Sequence, residues 1–297
     1  MRYFGCSDFS GILMKNVCGV TVLYNADNTV IANIESYIHD LDQLYVVDNS
    51  EPVDESLIDK LKALPNCIYI SNNGNKGIAN ALNVGAKCAA EAGAIWLLTM
   101  DQDSKFEPGQ FLKLIEYTTN LDDKTTGLAS PFHKTKISVE PQTEVDEVLT
   151  TMTSGNLISL YAWNAIGGFD EDYFIDAVDW DYCLRLTSDN FKVIRLNTVH
   201  LNHNLGNASQ HTSPTGKQIT ALNYNKIRRY YITRNKLMII AKYRKLYPAF
   251  SKGVLKSLFR DLRHILFYES DKMVKLEYLL KGATHFITGK KGKLPNN

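Results

Sequence analysis

Strand-like and helix-like stretches alternate along the first hundred residues. The segment "VCGVTVLYN" (17–25) is β-branched and apolar and closes on polar residues. Helical spacing follows in "VIANIESYIHDL" (30–41), and "QLYVVDNS" (43–50) repeats the apolar strand with a polar end. A helix around "ESLIDKLKAL" (55–64), a strand "CIYISNN" (67–73), a helix "IANALNVGAKCAAEA" (78–92) and a strand "AIWLLTMDQD" (94–103) continue the series. Four strands separated by helices predict an α/β fold with a mostly parallel central sheet flanked by helices. The pattern changes near the C-terminus. There "YNKIRRYYITRNKLMIIAKY", "FSKGVLKSLFRDLRHILFY" and "DKMVKLEYLLKGATHFI" interleave apolar residues at helical spacing with lysines and arginines.

In such a sheet the ligand sits beyond the carboxyl ends of the strands. Those ends carry Tyr24 and Asn25, Asp48 and Asn49, Asn72 and Asn73, and Asp101 with Gln102 and Asp103. Asp48-Asn49-Ser50 taken singly is also what an ordinary turn requires; repetition at every predicted strand end points to one shared site. Around Gly77, Asn75 shapes a turn that offers backbone N–H groups at a helix start, with Lys76 beside a phosphate or base edge. The spacing is not the GxGxxG dinucleotide fingerprint. Asp101 and Asp103 stand two apart after an apolar strand and can reach one divalent cation; Mg²⁺ favours one or two carboxylates plus the oxygens of a bound diphosphate.

A second constellation is "IGGFDEDYFIDAVDWDYCLRL" (166–186), with Asp176, Asp179 and Asp181 among Phe174, Trp180 and Tyr182. Asp181 and Arg185 are four apart and can pair along a helix. Asp179 is the freer candidate for a general base, and burial beside Trp180 would raise its pKa towards a useful value. His200 and His203 follow a strand-like "FKVIRLNTV"; a neutral imidazole there could complete a carboxylate metal site.

Composition narrows the class. The 297 residues are 44% hydrophobic, enough for a sizeable core. Five cysteines lie scattered without paired spacing, which suggests neither a zinc knuckle nor a disulfide framework and agrees with a cytoplasmic protein. No run reaches the length of a membrane span. Residues 1–14 are expected to form a leader outside the fold, with Met14 as an alternative start. Up to residue 225 there are 15 Lys+Arg against 28 Asp+Glu; from residue 226 there are 18 against 4. The expected division is therefore an acidic catalytic domain, 15–225, with a nucleotide half to about 105 and an acceptor half beyond it, and a basic helical extension, 226–297. Helices of that kind either pack on the body or lie on an anionic leaflet at the inner face of the cell membrane. An acidic body without a nucleic-acid motif argues against nucleic-acid binding.

In combination, Tyr24-Asn25, Asp48-Asn49-Ser50, Asn75-Lys76-Gly77, Asp101-Gln102-Asp103, Ser154-Gly155-Asn156, Gly167-Gly168-Phe169, Asp179-Trp180-Asp181, His203-Gly206 and Arg234-Asn235 resemble the inverting family 2 glycosyltransferases, in particular their bacterial rhamnosyltransferase branch. The resemblance spans about residues 15 to 245. It implies a GT-A fold and a nucleotide-sugar donor bound by Tyr24, Asn25, Asp48, Asn75, Lys76, Asp101, Gln102 and Arg234. It implies Mg²⁺ or Mn²⁺ held by Asp101, Asp103 and His203, with Asp103 the surer ligand, and acceptor contacts at Gly155 and Trp180. Asp179 would be the base. Val178 stands where many relatives carry glutamate, which keeps Asp181 as the alternative base. The implied reaction moves a sugar, L-rhamnose from dTDP-L-rhamnose, onto a glycan acceptor on a lipid carrier during O-antigen, capsule or wall rhamnan synthesis. A UDP-hexose or UDP-galactofuranose donor, or a non-catalytic nucleotide-sugar-binding scaffold, are the alternatives. A nucleotidyltransferase would need an early Gly-rich basic loop, which this sequence lacks.

Overall fold

The computed structural model describes residues 16–134, 141–202, 209–212, 216, 218–221 and 223–295. The leader and Met14 lie outside them. β1 (Val17–Leu23), β2 (Gln43–Asp48), β3 (Cys67–Ser71) and β4 (Trp96–Asp101) pair in parallel in the order β3-β2-β1-β4. α1 (Thr29–Glu35), α2 (Glu55–Ala63) and α3 (Ile78–Glu91) connect them. The helix expected over 30–41 is interrupted: the Ser36 hydroxyl donates to the Asn33 carbonyl at 2.6 Å, and the chain resumes as a 3-10 turn at Ile38–Asp40. A serine that bonds its own backbone competes with the helical ladder.

Beyond β4 the sheet becomes mixed. β5 (Lys105–Phe106), α4 (Gln110–Thr118), β6 (Thr126–Lys134), β7 (Val145–Glu147), β8 (Asn156–Ser159), α5 (Leu160–Ala165), α6 (Val178–Ser188) and β9 (Lys192–Asn202) follow in chain order. β8 lies antiparallel to β4 and β6, β6 runs parallel to β9, and β5 and β7 pair antiparallel with β9. β10 (Ser209–Thr212) and β11 (Gln218–Ala221) form a separate antiparallel pair. Alternate residues of the parallel strands feed two apolar layers, as the two-residue period of a strand requires. Cys18, Val20, Tyr45 and Val47 pack with α3 and α6, while Val17, Leu44 and Val46 pack with α1, α2 and α4.

The C-terminal part is helical: α7 (Lys226–Tyr243), α8 (Pro248–Tyr268) and α9 (Lys272–Ile287). α7 does not display the cationic face that its sequence suggested. Arg229, Tyr230, Tyr231, Arg234, Asn235 and Tyr243 are all buried, so this helix is an interior support of the body. Among the described residues no helix is long and apolar enough to cross a membrane.

Candidate active site

The ends of β1, β2 and β4 adjoin through short polar links. Asp48 is buried, its carboxylate accepting the Ser50 N–H at 2.8 Å and the Tyr69 hydroxyl at 3.0 Å. The Ser50 hydroxyl accepts the Asn25 N–H at 2.7 Å. Gln102, expected at the nucleotide, brackets the Tyr24 backbone, accepting its N–H at 2.8 Å and donating to its carbonyl at 3.3 Å. The Tyr24 side chain itself is exposed. Asp101 is half-buried, with its N–H on the Ser154 hydroxyl at 3.1 Å, and Asp103 is exposed.

The turn before α3 has the shape expected from Asn75, but two of its N–H groups are already engaged. Gly77 N–H donates to Asn75 Oδ1 at 3.0 Å and Ile78 N–H to the Phe174 carbonyl at 2.8 Å. Lys76 is exposed beside them. Gly77 has φ +94°, and a Cβ there would lie 2.6 Å from the Phe174 carbonyl oxygen, so only glycine permits this approach. The contact ties this turn to the loop that precedes Asp179.

That loop is strained. Phe174, Asp176 and Ala177 have φ of 62°, 63° and 65°, a left-handed conformation unfavourable for side-chain-bearing residues. α7 holds it in place: Asn235 Nδ2 lies 2.6–2.8 Å from the carbonyls of Tyr173, Ile175 and Asp176, and Phe174 stacks on Tyr231 at 5.0 Å. Asp179 follows in the first turn of α6. Burial pushes its carboxyl up to about 7; the Trp180 N–H, donating at 2.9 Å, opposes this, and the charges of Asp176 and Asp101 add to it. Asp101 and Asp179 thus feel each other's charge across the site although they are 78 residues apart in sequence.

Several expectations are corrected here. Arg234, expected on the diphosphate, is fully buried. Its guanidinium donates to the carbonyls of Asp172, Tyr173 and Gly292, to the Tyr230 hydroxyl and to Asn235 Oδ1. No N–H remains for a ligand. Asp181, the alternative base, is also buried and engaged by Arg185 at 2.7 Å, Lys242 at 2.7 Å and the Tyr243 hydroxyl at 2.8 Å. Burial alone would raise its carboxyl, but these cations outweigh that and hold it below the ordinary range. Gly155 is buried too, its N–H spent on the Thr99 carbonyl at 2.7 Å, and a Cβ there would meet Leu201 at 2.7 Å; it permits close packing and offers no acceptor surface. Trp180 is half-buried, edge-on to Phe250 at 5.6 Å. His203 lies outside the described residues.

Two residues that border the site were not anticipated from the sequence. Arg228, in the first turn of α7, contacts Asp176 at 3.2 Å, stacks on Tyr224 at 4.4 Å and keeps a half-exposed side chain. Burial works against its charge, yet Asp176 first, then Tyr224 and Asp101, favour the guanidinium, so Arg228 stays a cation within reach of the charge of Asp101. Asn83 of α3 holds the turn before Asp179's loop, donating to the Phe169 carbonyl at 2.9 Å and to Glu171 at 3.0 Å. The run "IRRYY" gives no hint of which arginine turns outward; an amide inside an alanine-rich helix gives a faint one.

A metal fits this donor set only in part. Among the described residues no group of three or more His, Cys, Asp or Glu side chains is placed to hold an ion. Asp101 and Asp103 supply two carboxylates, a set suited to an ion whose remaining ligands are diphosphate oxygens and water.

Residues 19–161 match the family model described as Glycosyl transferase family 2. The chain is 26% identical to the dTDP-rhamnosyl transferase RfbF of Shigella flexneri over 94% of its own length and 96% of that protein's. Among solved structures it is similar to the mannosyltransferase PcManGT of Pyrobaculum calidifontis in complex with GDP-Man and Mn²⁺, with a TM-score of 0.59, 14% identity and coverage of 93% of this chain and 88% of that one. The S. aureus TarS fragment 1–349 superposes with a TM-score of 0.56 at 13% identity, covering 92% of this chain and 80% of that one.

Proposed function

We propose, from the premise that this chain carries a family 2 glycosyl transferase domain on a GT-A fold, that it transfers L-rhamnose from dTDP-L-rhamnose to a glycan hydroxyl with inversion. The feature that carries the chemistry is Asp179, a half-buried carboxylate that burial pushes up to about 7, with the charge of Asp101 adding to the rise. A base is most effective when its pKa lies near the working pH. The name and full-length coverage of the Shigella relative support the donor. The acceptor we assign is a growing cell-surface polysaccharide on a lipid carrier.

In this reading the nucleoside lies over the exposed Tyr24 ring and beside Asp48 and Lys76. Asp179 takes the proton of the acceptor hydroxyl as that oxygen attacks the anomeric carbon. The bond from that carbon to the diphosphate breaks, dTDP leaves with the electron pair, and the configuration inverts in the single displacement. No enzyme nucleophile is required. Asp101 and Asp103 would hold a divalent cation, which supplies charge neutralisation for the departing diphosphate when bound. Arg228 contributes a further positive charge on that side, in the role the sequence suggested for Arg234.

The test is release of nucleoside diphosphate from a panel of dTDP-, UDP- and GDP-sugars with Mg²⁺ or Mn²⁺ and a rhamnose-containing oligosaccharide acceptor. Turnover confined to dTDP-L-rhamnose, lost in Asp101→Ala, is the expected result. Turnover with a UDP-hexose or UDP-galactofuranose alone would reassign the donor. Donor binding without turnover under any condition would leave a scaffold.

A further inference from the structure

α8 separates its residues by side. At about 100° per residue, Ser251, Val254, Leu258 and Ile265 fall together and turn inward, the first, second and last of them buried and Leu258 half-buried. Asp261, the one acid of the helix, also turns inward, bound to Lys236 at 2.5 Å. On the opposite side Lys252, Lys256, Arg260 and Arg263 are all exposed. Interleaved with them are Leu255 at 42%, Phe259 at 65%, Leu266 at 41% and Phe267 at 69% exposure. These two sets share an arc of about 140°.

Single exposed apolar residues are ordinary, but a continuous stripe with two phenylalanine rings standing mostly in water is not. Its charge decides among occupants. A second copy docking the same face by two-fold symmetry would set four cations against four cations without an acid between them. An anionic leaflet complements every group: phosphates face the lysines and arginines, and the acyl boundary receives the leucines and phenylalanines. We infer that the outward face of α8 is a docking surface for an anionic lipid bilayer, with Phe259 and Phe267 as inserted anchors and Lys252, Lys256, Arg260 and Arg263 as headgroup contacts. The surface is argued from α8 alone and does not rest on the transfer reaction.

Co-sedimentation with vesicles, in the absence of donor, tests it. The full chain should bind vesicles of phosphatidylglycerol mixed with phosphatidylcholine and leave pure phosphatidylcholine vesicles largely unbound. The double substitution Phe259→Ser with Phe267→Ser should weaken binding at least about tenfold, and each of Lys252→Gln, Lys256→Gln, Arg260→Gln or Arg263→Gln about fivefold. Added salt should weaken it further. All these side chains are exposed, so melting temperature and turnover on a soluble acceptor should stay unchanged in the same variants. Wild-type protein that ignores phosphatidylglycerol vesicles, or a double variant that binds them as well as wild type, would overturn the inference. So would light scattering that shows a dimer dissolved by the double substitution with no vesicle binding: the stripe would then be a self-association surface.

Discussion

Asp179 answers to two opposed requirements. As the proposed base it would gain from a pKa near 7, and the burial that raises it there also penalises its ionised form. The folded value lies above the unfolded value of about 4, so the favourable contribution is complete below about pH 4 and is lost as pH rises through about 7. Above that, the buried charge destabilises the fold by an amount on the order of 2 kcal/mol after allowing for partial solvation. Asp179→Asn should therefore lower transfer at least about a hundredfold, leave donor affinity unchanged, and raise the melting temperature at pH 8 more than at pH 5. In the wild type, log kcat/KM should climb with unit slope to about pH 7 and then level. Near-wild-type turnover in the asparagine variant would remove Asp179 from the mechanism. Asp181 could be separated from it in the sequence only because Arg185 stands four residues on, and that ion pair is formed at 2.7 Å. Arg234 gave no comparable signal. Its five donors serve backbone carbonyls and neighbouring side chains, and the warning available was the aromatic pair Tyr230-Tyr231 one turn earlier, which marks a buried helix face.

The parallel strands were legible because each is an apolar run ending in a polar pair, and their parallel pairing follows from the intervening helices. The sequence leaves α7 open between packing on the body and lying on a membrane, because tyrosine, arginine and lysine look alike on a wetted or a buried face until their partners are known. Arg229 is paired with Glu269 and Asp261, and Lys236 with Asp261, so charge that reads as a basic tail is partly internal to the helical layer. The layer reaches the site through α7, against which α9 packs. A Cβ on Gly282 would lie 2.6 Å from the Tyr230 carbonyl oxygen of α7, next to Arg234, whose guanidinium also holds the Gly292 carbonyl. Gly282→Ala must part α7 and α9, so we expect a loss of about 1–3 kcal/mol in denaturant unfolding and a fall in kcat. Gly253→Ala on α8 meets nothing within 4 Å and should be neutral or gain up to about 1 kcal/mol from helix propensity. Equal effects of the two substitutions would show that α9 does not press on α7 in solution.

At the scale of the molecule, the two sides of the proposed site are assembled from opposite kinds of structure. Tyr24, Asp48, Asp101 and Asp103 stand at or just beyond the ends of parallel strands, where sequence order predicts spatial order. Asp179 depends on a strained loop kept in place by α3 and α7, a dependence that local pattern does not encode. The two carboxylates proposed to hold the metal are an incomplete set, and this has a measurable consequence. With Asp101 and Asp103 as its described carboxylates, the protein should bind Mn²⁺ weakly alone and well once a diphosphate adds its oxygens. Binding to the native state raises stability by RT ln(1 + [L]/Kd), about 2.7 kcal/mol at a hundred times Kd. In thermal melts Mn²⁺ alone and dTDP alone should therefore each give small shifts, and the two together a shift well above their sum. Asp101→Ala and Asp103→Ala should abolish the excess, while Asp179→Asn should retain it, since in the proposed mechanism that carboxylate serves the proton and not the leaving group. An equal shift from Mn²⁺ alone would mean that the protein completes the shell by itself, and His203→Ala would then be the substitution that removes it.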